Sequence, residues 1–551
     1  MSKIKISALG GVGENGKNMY IVEVDERIFV LDAGLIYPKI DLYGIDAVIP
    51  NIDYLIENKN RVEGVFISHG HEDNIGALPY LLKNMNVKVF GTHFTISLIE
   101  ELLTFNNMNI SDYRLFKIND FKVLRFGKIS VSFFNVNHSL PECVGIIIST
   151  EDGEIVYATD FNFMSSFNQK YKISYNKLLE LSKKPVLAVL AESVGIYDTI
   201  RANNDFVLDS EMSNIIFRSK GNIFMVCYST DLSRIQKVVD IAIKENKKIA
   251  IIGRKGEQIV HIAMKTNYLE IPSDNIIELN GQEIENTLIL IVGTANEPYN
   301  ILKRIILGND KRVKASHEDT IITLSDPISG CEKNVLNVLD IAARNDFVIK
   351  NISKKNIRTS HATQDDLSQL YSMINPKYFI PVKGEERHID RHQKLLHSLN
   401  YPKENIFNLY DGNVIVFNKG EFVGNETIKT GELYVDGTLT GSVNEEIVEQ
   451  RNTLANDGLI QILANIDTKK NSILNINVST KGFVNAKFGD SGVDVINEGV
   501  MKVLKASFSK KRSISDIELT IKNEIQRVVY RLTRKSPAVL VIVVDLKNIK
   551  H

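Results

Sequence analysis

The chain has 551 residues, of which 44% are hydrophobic and 24% charged, with only 12 Pro and a formal net charge of −1. This length exceeds what one core supports and predicts about three domains of roughly 100–200 residues each. The composition excludes a disordered chain, and the charge excludes wholesale attraction to nucleic acid while leaving room for a local basic groove. Cys143, Cys227 and Cys331 form no CxxC pair and leave one odd, against a disulfide framework. The N-terminus does not read as a signal peptide, and no apolar run is long enough to span a bilayer. A cytoplasmic location with no membrane partner is therefore expected.

In chain order, residues 1–205 alternate short apolar runs (MYIVEV, RIFVLDAG, GVFISHG, VKVFGTH) with polar turns and helical spans such as ISLIEELLTF, a mixed α/β pattern. Across residues 206–350 strand and helix alternate: NIFMVCY before LSRIQKVVDIAIKEN, KIAIIG before EQIVHIAMKT, TIITLSD before KNVLNVLDIAARN. That alternation predicts a separate parallel sheet. Residues 351–420 return to the first style, so the middle domain reads as an insertion. Residues 421–445 are glycine-rich and polar and read as a linker; residues 446–551 form a last α+β unit ending in a helix and the strand AVLVIVVDL.

The sharpest chemical signal is SHGHEDN, residues 68–74, directly after the strand VEGVFI. Two histidines two apart at a strand end can face one ion, although surface histidines so spaced are commoner. His138 in NHSLPE and Asp160 in ATDF also sit just past strands. Singly, each is an ordinary strand-end residue that caps a turn. Together, His69, His71, Asp73, His138 and Asp160 make the His and carboxylate mixture that zinc or manganese accepts. The GGVGENG segment lacks the Lys-Ser/Thr of a phosphate loop and reads as a turn between strands. The run KASFSKKRS reads as a solvated loop, and His388, His392 and His397 read as surface helix residues.

These motifs resemble, in order, those of the ribonuclease J family: GGVGENGKNMYIVEV, VLDAGLIYP, SHGHEDN, NHSLPE and ATDF in the outer segments, and AES, YSTDLSRIQ, GTANEP and RTSHATQDD around the insertion. The likeness spans nearly the whole chain, including TKGFV near the end. It implies a metallo-β-lactamase αββα sandwich with an inserted β-CASP α/β domain and a small α+β C-terminal domain used for association. It also implies His69, His71, His138 and bridging Asp160 around a first ion and Asp73 at a second. Asp73, Glu192 and His361 would be catalytic, with His361 a proton donor to the leaving oxygen. Ser229, Ile357, Arg358, Thr359, Ser360 and His361 would form the pocket for a 5′ phosphate.

Two positions depart from the family pattern. Active relatives read HxHxDH and carry a histidine before the glycine of HGE; here those places hold Asn74 and Lys383. An amide is a poorer ligand than imidazole, and an ammonium with an ordinary pKa of about 10.4 is none. Both losses fall on the second site, so one zinc or manganese ion per chain is expected. Lys383 either sits where the missing cation would, neutralising Asp160 or a phosphate, or is solvated. Asn296 stands in GTANEP at a usual glycine position.

The resemblance is nearest to the type-2 branch of the family. It implies weak 5′-to-3′ exonuclease, or endonuclease, action on RNA bearing a 5′ monophosphate, in RNA decay and ribosomal RNA 5′-end maturation, as a homodimer or in a hetero-oligomer with a fully liganded paralogue. The alternative is an inactive RNA-binding or structural subunit of that complex. A small-molecule metallo-hydrolase is a third reading, against which the insertion argues.

Overall fold

The computed structural model describes residues 2–38, 42–164, 169–198, 205–324, 327–328, 330–352, 360–437, 439–483, 486–508 and 512–546. The chain divides into two compact units, one comprising residues 1–37 and 47–433 and the other 38–46 and 434–551.

The larger unit is built on two facing sheets. The first runs Glu421–Thr427, Asn413–Asn418, Lys3–Gly10, Met19–Val24, Arg27–Leu31, Val62–Phe66, Lys88–Thr92 and Arg114–Ile118, antiparallel to begin with and parallel from Arg27–Leu31 onward. The second runs Tyr378–Val382, Val186–Glu192, Gly153–Ala158, Val144–Thr150, Ile129–Asn135 and Val123–Phe126. One apolar core joins their inner faces, with Ile4, Tyr20, Phe29 and Phe66 meeting Val131, Phe133, Ile146 and Tyr157. MYIVEV and VLAVLAE are buried at every residue, as strands are when helices cover the outer face too. The strand Glu421–Thr427 lies inside the stretch expected to be a linker: its alternating register with Asn413–Asn418 extends the first sheet.

The insertion is a wholly parallel sheet of its own. Its strands run in the order Lys248–Ile252, Thr287–Gly293, Ile223–Tyr228, Thr320–Thr323, Val348–Asn351. Amphipathic helices such as Leu232–Lys244 and Glu297–Ile306 bury one face, with Ile235 and Val239 in the first and Ile301 and Ile305 in the second recurring at helical spacing. Asn296 caps the second helix at φ −83, a conformation that needs no glycine.

The smaller unit pairs Ser472–Lys481, Leu459–Asp467 and Ala538–Asp545 in that order. In LIQILANID, Ile460, Ile462, Ala464 and Ile466 point inward every second residue, against Ile517, Ile521, Ile525 and Val529 at every fourth position of the helix Ile514–Thr533. That helix spends its apolar face within its own unit. Among the described residues, no helix is long and apolar enough to cross a membrane.

What places the chemistry is strand direction. Gly153–Ala158, Val186–Glu192 and Tyr378–Val382 are parallel, with Ala158 beside Ala191 and Glu192 beside Val382. Their exits, Asp160, Glu192 and Lys383, therefore share one edge of the sandwich. In the first sheet Leu31 pairs with Phe66 in parallel, which brings Asp32 beside the segment that enters SHGHEDN.

Candidate metal centre

His69 and His71 leave the strand Val62–Phe66, and His138 follows Ile129–Asn135. Their rings gather with centroids 4.6, 4.9 and 4.9 Å apart. His69 Nε2 lies 3.0 Å and His138 Nε2 3.3 Å from His71 Nδ1. Two nitrogens each about 2.0–2.1 Å from a tetrahedral ion stand roughly 3.3–3.4 Å apart, so this spacing is near the edge of a zinc tetrahedron. Burial holds all three imidazoles below their ordinary pKa, hence neutral, the form a metal ligand needs.

The outward nitrogen of each ring is engaged. His69 Nδ1 lies 2.9 Å from Ser68 Oγ, whose hydroxyl donates to Asp32 Oδ2 at 2.9 Å. His71 Nε2 lies 3.1 Å from Ser139 Oγ, and His138 Nδ1 donates to the Ser360 carbonyl at 2.6 Å. Partners of this kind fix the tautomer of a ligating imidazole and aim its lone pair. The donor set thus fits one divalent ion, with Asp160 alongside: its Oδ2 is 3.7 Å from His69 Nε2 and its Oδ1 4.0 Å from His138 Nε2.

The other half of the site is built on charge. Lys383 is 1% exposed, so the solvated reading of this residue is ruled out. Its ammonium contacts Asp160 Oδ2 and lies 2.8 Å from Asp73 Oδ2, which also accepts from Asn18 Nδ2 at 3.0 Å. Burial opposes the charge on Lys383, but Asp160, Asp73 and Glu192 outweigh it and raise its pKa above the ordinary value. By the same pairing, Asp73 and Asp160 are held below the usual carboxylate range despite their burial. Asn74 is turned away from this half. Its amide donates to Asp32 Oδ2 at 2.8 Å, its Oδ1 is buried without a partner, and Asp32 also accepts from Tyr157 OH at 2.7 Å and Ser68 N at 2.7 Å.

His361 lies where Asp160 and Glu192 converge, its Nδ1 3.1 Å from Asp160 Oδ1 and 2.6 Å from Glu192 Oε2. Burial disfavours its charge, yet Glu192 and Asp160 prevail and push it up to about 10. Glu192 in turn accepts from the Phe161 and Ala362 amides at 2.8 and 3.1 Å, which pins the carboxylate.

Of the expected phosphate pocket, Ile357, Arg358 and Thr359 lie outside the described residues. Ser229 is buried, with its amide and hydroxyl both directed at the Gly293 carbonyl, at 3.0 and 3.2 Å. His392, read as a surface residue, is fully buried: its Nδ1 lies 2.9 Å from Ser193 Oγ and its Nε2 2.5 Å from Tyr371 OH. Helical spacing alone does not tell which face packs; Tyr371 comes from the preceding helix Gln364–Ile374 and Ser193 from a distant segment. Asp32, Ser68, Ser139 and Tyr157 have no role assigned from the sequence, although Asp32, Ser68 and Ser139 stand inside the motifs VLDAGLIYP, SHGHEDN and NHSLPE, and Tyr157 lies near the end of the strand Gly153–Ala158.

The backbone is shaped for this site as well. Asp32, Asp160 and Lys383 have φ of 60, 52 and 50, the left-handed region that non-glycine residues enter at a cost of order 1 kcal/mol each. A Cβ on Gly34 would fall 1.5 Å from the Asp73 carbonyl oxygen, so the Asp32–Leu35 turn admits no side chain there.

The fold and this donor set define a metallo-hydrolase sandwich with an inserted α/β domain. Four family models match in succession: the beta-lactamase superfamily domain over residues 41–173, the ribonuclease J beta-CASP domain over 220–341, the Zn-dependent metallo-hydrolase RNA specificity domain over 352–407 and the ribonuclease J C-terminal domain over 446–546. The chain is 34% identical over 475 residues to Ribonuclease J 2 of Staphylococcus saprophyticus and 33% identical to that of Staphylococcus aureus, covering 85% of itself and of each relative. The chain belongs to the ribonuclease J family and is a homologue of its type-2 members. A crystal structure of a protein of unknown function from Enterococcus faecalis shares the fold at a TM-score of 0.52 and 15% identity, over 75% of this chain and all of that one. Family and histidine cluster together support a metal-dependent ribonuclease that binds RNA.

Proposed function

We propose that this chain is a one-metal ribonuclease of low activity that works on RNA with a 5′ monophosphate, in RNA decay and ribosomal RNA 5′-end maturation, together with a fully liganded paralogue. The observation that carries the reading is Lys383, whose buried ammonium is paired with both Asp73 and Asp160. A tethered cation already neutralises the acids that a second ion would need, so His69, His71, His138 and Asp160 hold a single zinc or manganese. When bound, that ion supplies a Lewis acid and a nucleophile at neutral pH.

The chain's own residues do the rest. Lys383 stays positive and adds attraction for a phosphodiester without furnishing hydroxide. Glu192 and Asp160 favour the protonated form of His361; with its Nδ1 directed at Glu192, any proton passed to a leaving oxygen departs from Nε2. A general acid works best with a pKa near the working pH, and one whose charged form is favoured by Glu192 and Asp160 gives up its proton less readily. Low activity follows from both halves. An inactive RNA-binding subunit is the second reading, favoured by the closure of Lys383 on one oxygen of Asp160 and His361 on the other.

The test is metal content per chain and turnover of 5′-monophosphorylated RNA, alone and with the paralogue, for wild type, His71→Ala and the double variant Asn74→His with Lys383→His. One ion in wild type, none in His71→Ala, and two ions with raised activity in the double variant are expected. Two ions and an ordinary rate in wild type would refute the reading. Metal-bound wild type with no turnover would select the subunit.

A further inference from the structure

We infer that Ser139 is a positioning residue that makes metal binding at the histidine trio depend on the seating of the inserted domain against the sandwich. The inference rests on the one-metal reading above.

Ser139 is buried at the junction of the two. Its hydroxyl oxygen lies 3.1 Å from His71 Nε2 and 3.3 Å from the carbonyl oxygen of Thr230. Its own carbonyl accepts from the Ser233 amide at 3.3 Å. Thr230 lies in the turn between the strand Ile223–Tyr228 and the helix Leu232–Lys244, and Ser233 in the first turn of that helix, so both contacts belong to the inserted domain.

Counting protons then decides the tautomer. A serine hydroxyl has one hydrogen, and a backbone carbonyl can only accept. With Thr230 in place that hydrogen goes to its carbonyl, and Ser139 Oγ is left to accept from His71 Nε2–H. His71 Nδ1 then carries a lone pair, 3.0 and 3.3 Å from the nitrogens of His69 and His138, where an ion takes it. With the turn withdrawn, the hydroxyl is free to donate to Nε2 instead. The imidazole proton then moves to Nδ1 and points into the ion's position. The seated domain selects the ligating tautomer, and by linkage a bound ion holds the domain seated by the same factor.

Ser139→Ala, in the full chain, is expected to bind Co2+ or Zn2+ about 10–100-fold more weakly, the usual effect of losing the outer partner of a ligating histidine. It should also shift the visible absorption of the Co2+ form, and Ser139→Thr, which keeps the hydroxyl, should restore both. In wild type, added metal should slow hydrogen exchange across residues 229–235; this arm needs no variant and survives misfolding of Ser139→Ala. Metal affinity in Ser139→Ala within twofold of wild type, or exchange at 229–235 indifferent to metal, overturns the inference. Wild type that binds no metal at all would instead refute the one-metal reading beneath it.

Discussion

The two halves of the site are made of different physics. Around His69, His71 and His138 the side chains are neutral, and order comes from directed hydrogen bonds: a hydroxyl on two rings and a carbonyl on the third. Around Lys383 order comes from opposite charges taken out of water, one ammonium against two carboxylates. The first half is a set of neutral rings whose lone pairs suit a cation; the second contains an ammonium of the chain itself. With Lys383 between Asp73 and Asp160, this half holds its buried carboxylates against an opposite charge. The lysine supplies electrostatic balance but, as an ammonium, no coordination chemistry.

If this contrast is right, the charged half should fail hardest when its cation is removed. Lys383→Met removes the ammonium that Asp73 and Asp160 share, leaving His361 as the cation beside Asp160, and should cost about 3–5 kcal/mol in urea unfolding of the metal-free protein. A divalent ion should restore part of that loss, since it supplies the missing charge. A cost near zero would mean that the triad is not what stabilises this half.

The neutral half should respond in affinity. Ser68→Ala cuts the link from Asp32 through Ser68 to His69 and should weaken metal binding by roughly 10-fold or somewhat more, read by competition with a chromophoric chelator. Unchanged affinity would show that the neighbouring groups orient His69 without the hydroxyl.

The smallest effect concerns the brace behind Lys383, where His392 holds Ser193, Ser193 Oγ donates to the Val382 carbonyl, and Ser193 N donates to that of Lys383. Burial lowers His392 to about 3, against an unfolded value near 6.5. Below about pH 6.5 the unfolded chain therefore binds a proton that the folded chain refuses, and stability falls as the pH falls. The loss from this group between about pH 7 and about pH 5.5 is roughly 1 kcal/mol. In His392→Gln the acid side of the stability profile should flatten by that amount; an identical slope in both proteins would clear His392 of the role.

Much of this was legible beforehand, and the reason is strand direction. A residue just past a buried strand has a predictable place, so His69, His71, His138, Asp160 and Glu192 could be proposed from local pattern and family likeness. The parallel sheet of the insertion was equally readable, because each strand and helix declares its own period. What local pattern does not encode is pairing between segments far apart in the sequence. Lys383 meets Asp73, Tyr157 meets Asp32, and His392 meets Ser193 only after the sheets assemble. The strand Glu421–Thr427 hid for a related reason: as an edge with exposed side chains it has no apolar alternation to announce it.

The backbone at Lys383 holds a last consequence. At φ 50 it occupies a region entered most readily by Asn, Asp and His, to which a long unbranched side chain brings no advantage. Histidine at 383 would therefore ask nothing new of the polypeptide path, so the Lys383→His half of the double variant changes side-chain chemistry without disturbing the main chain.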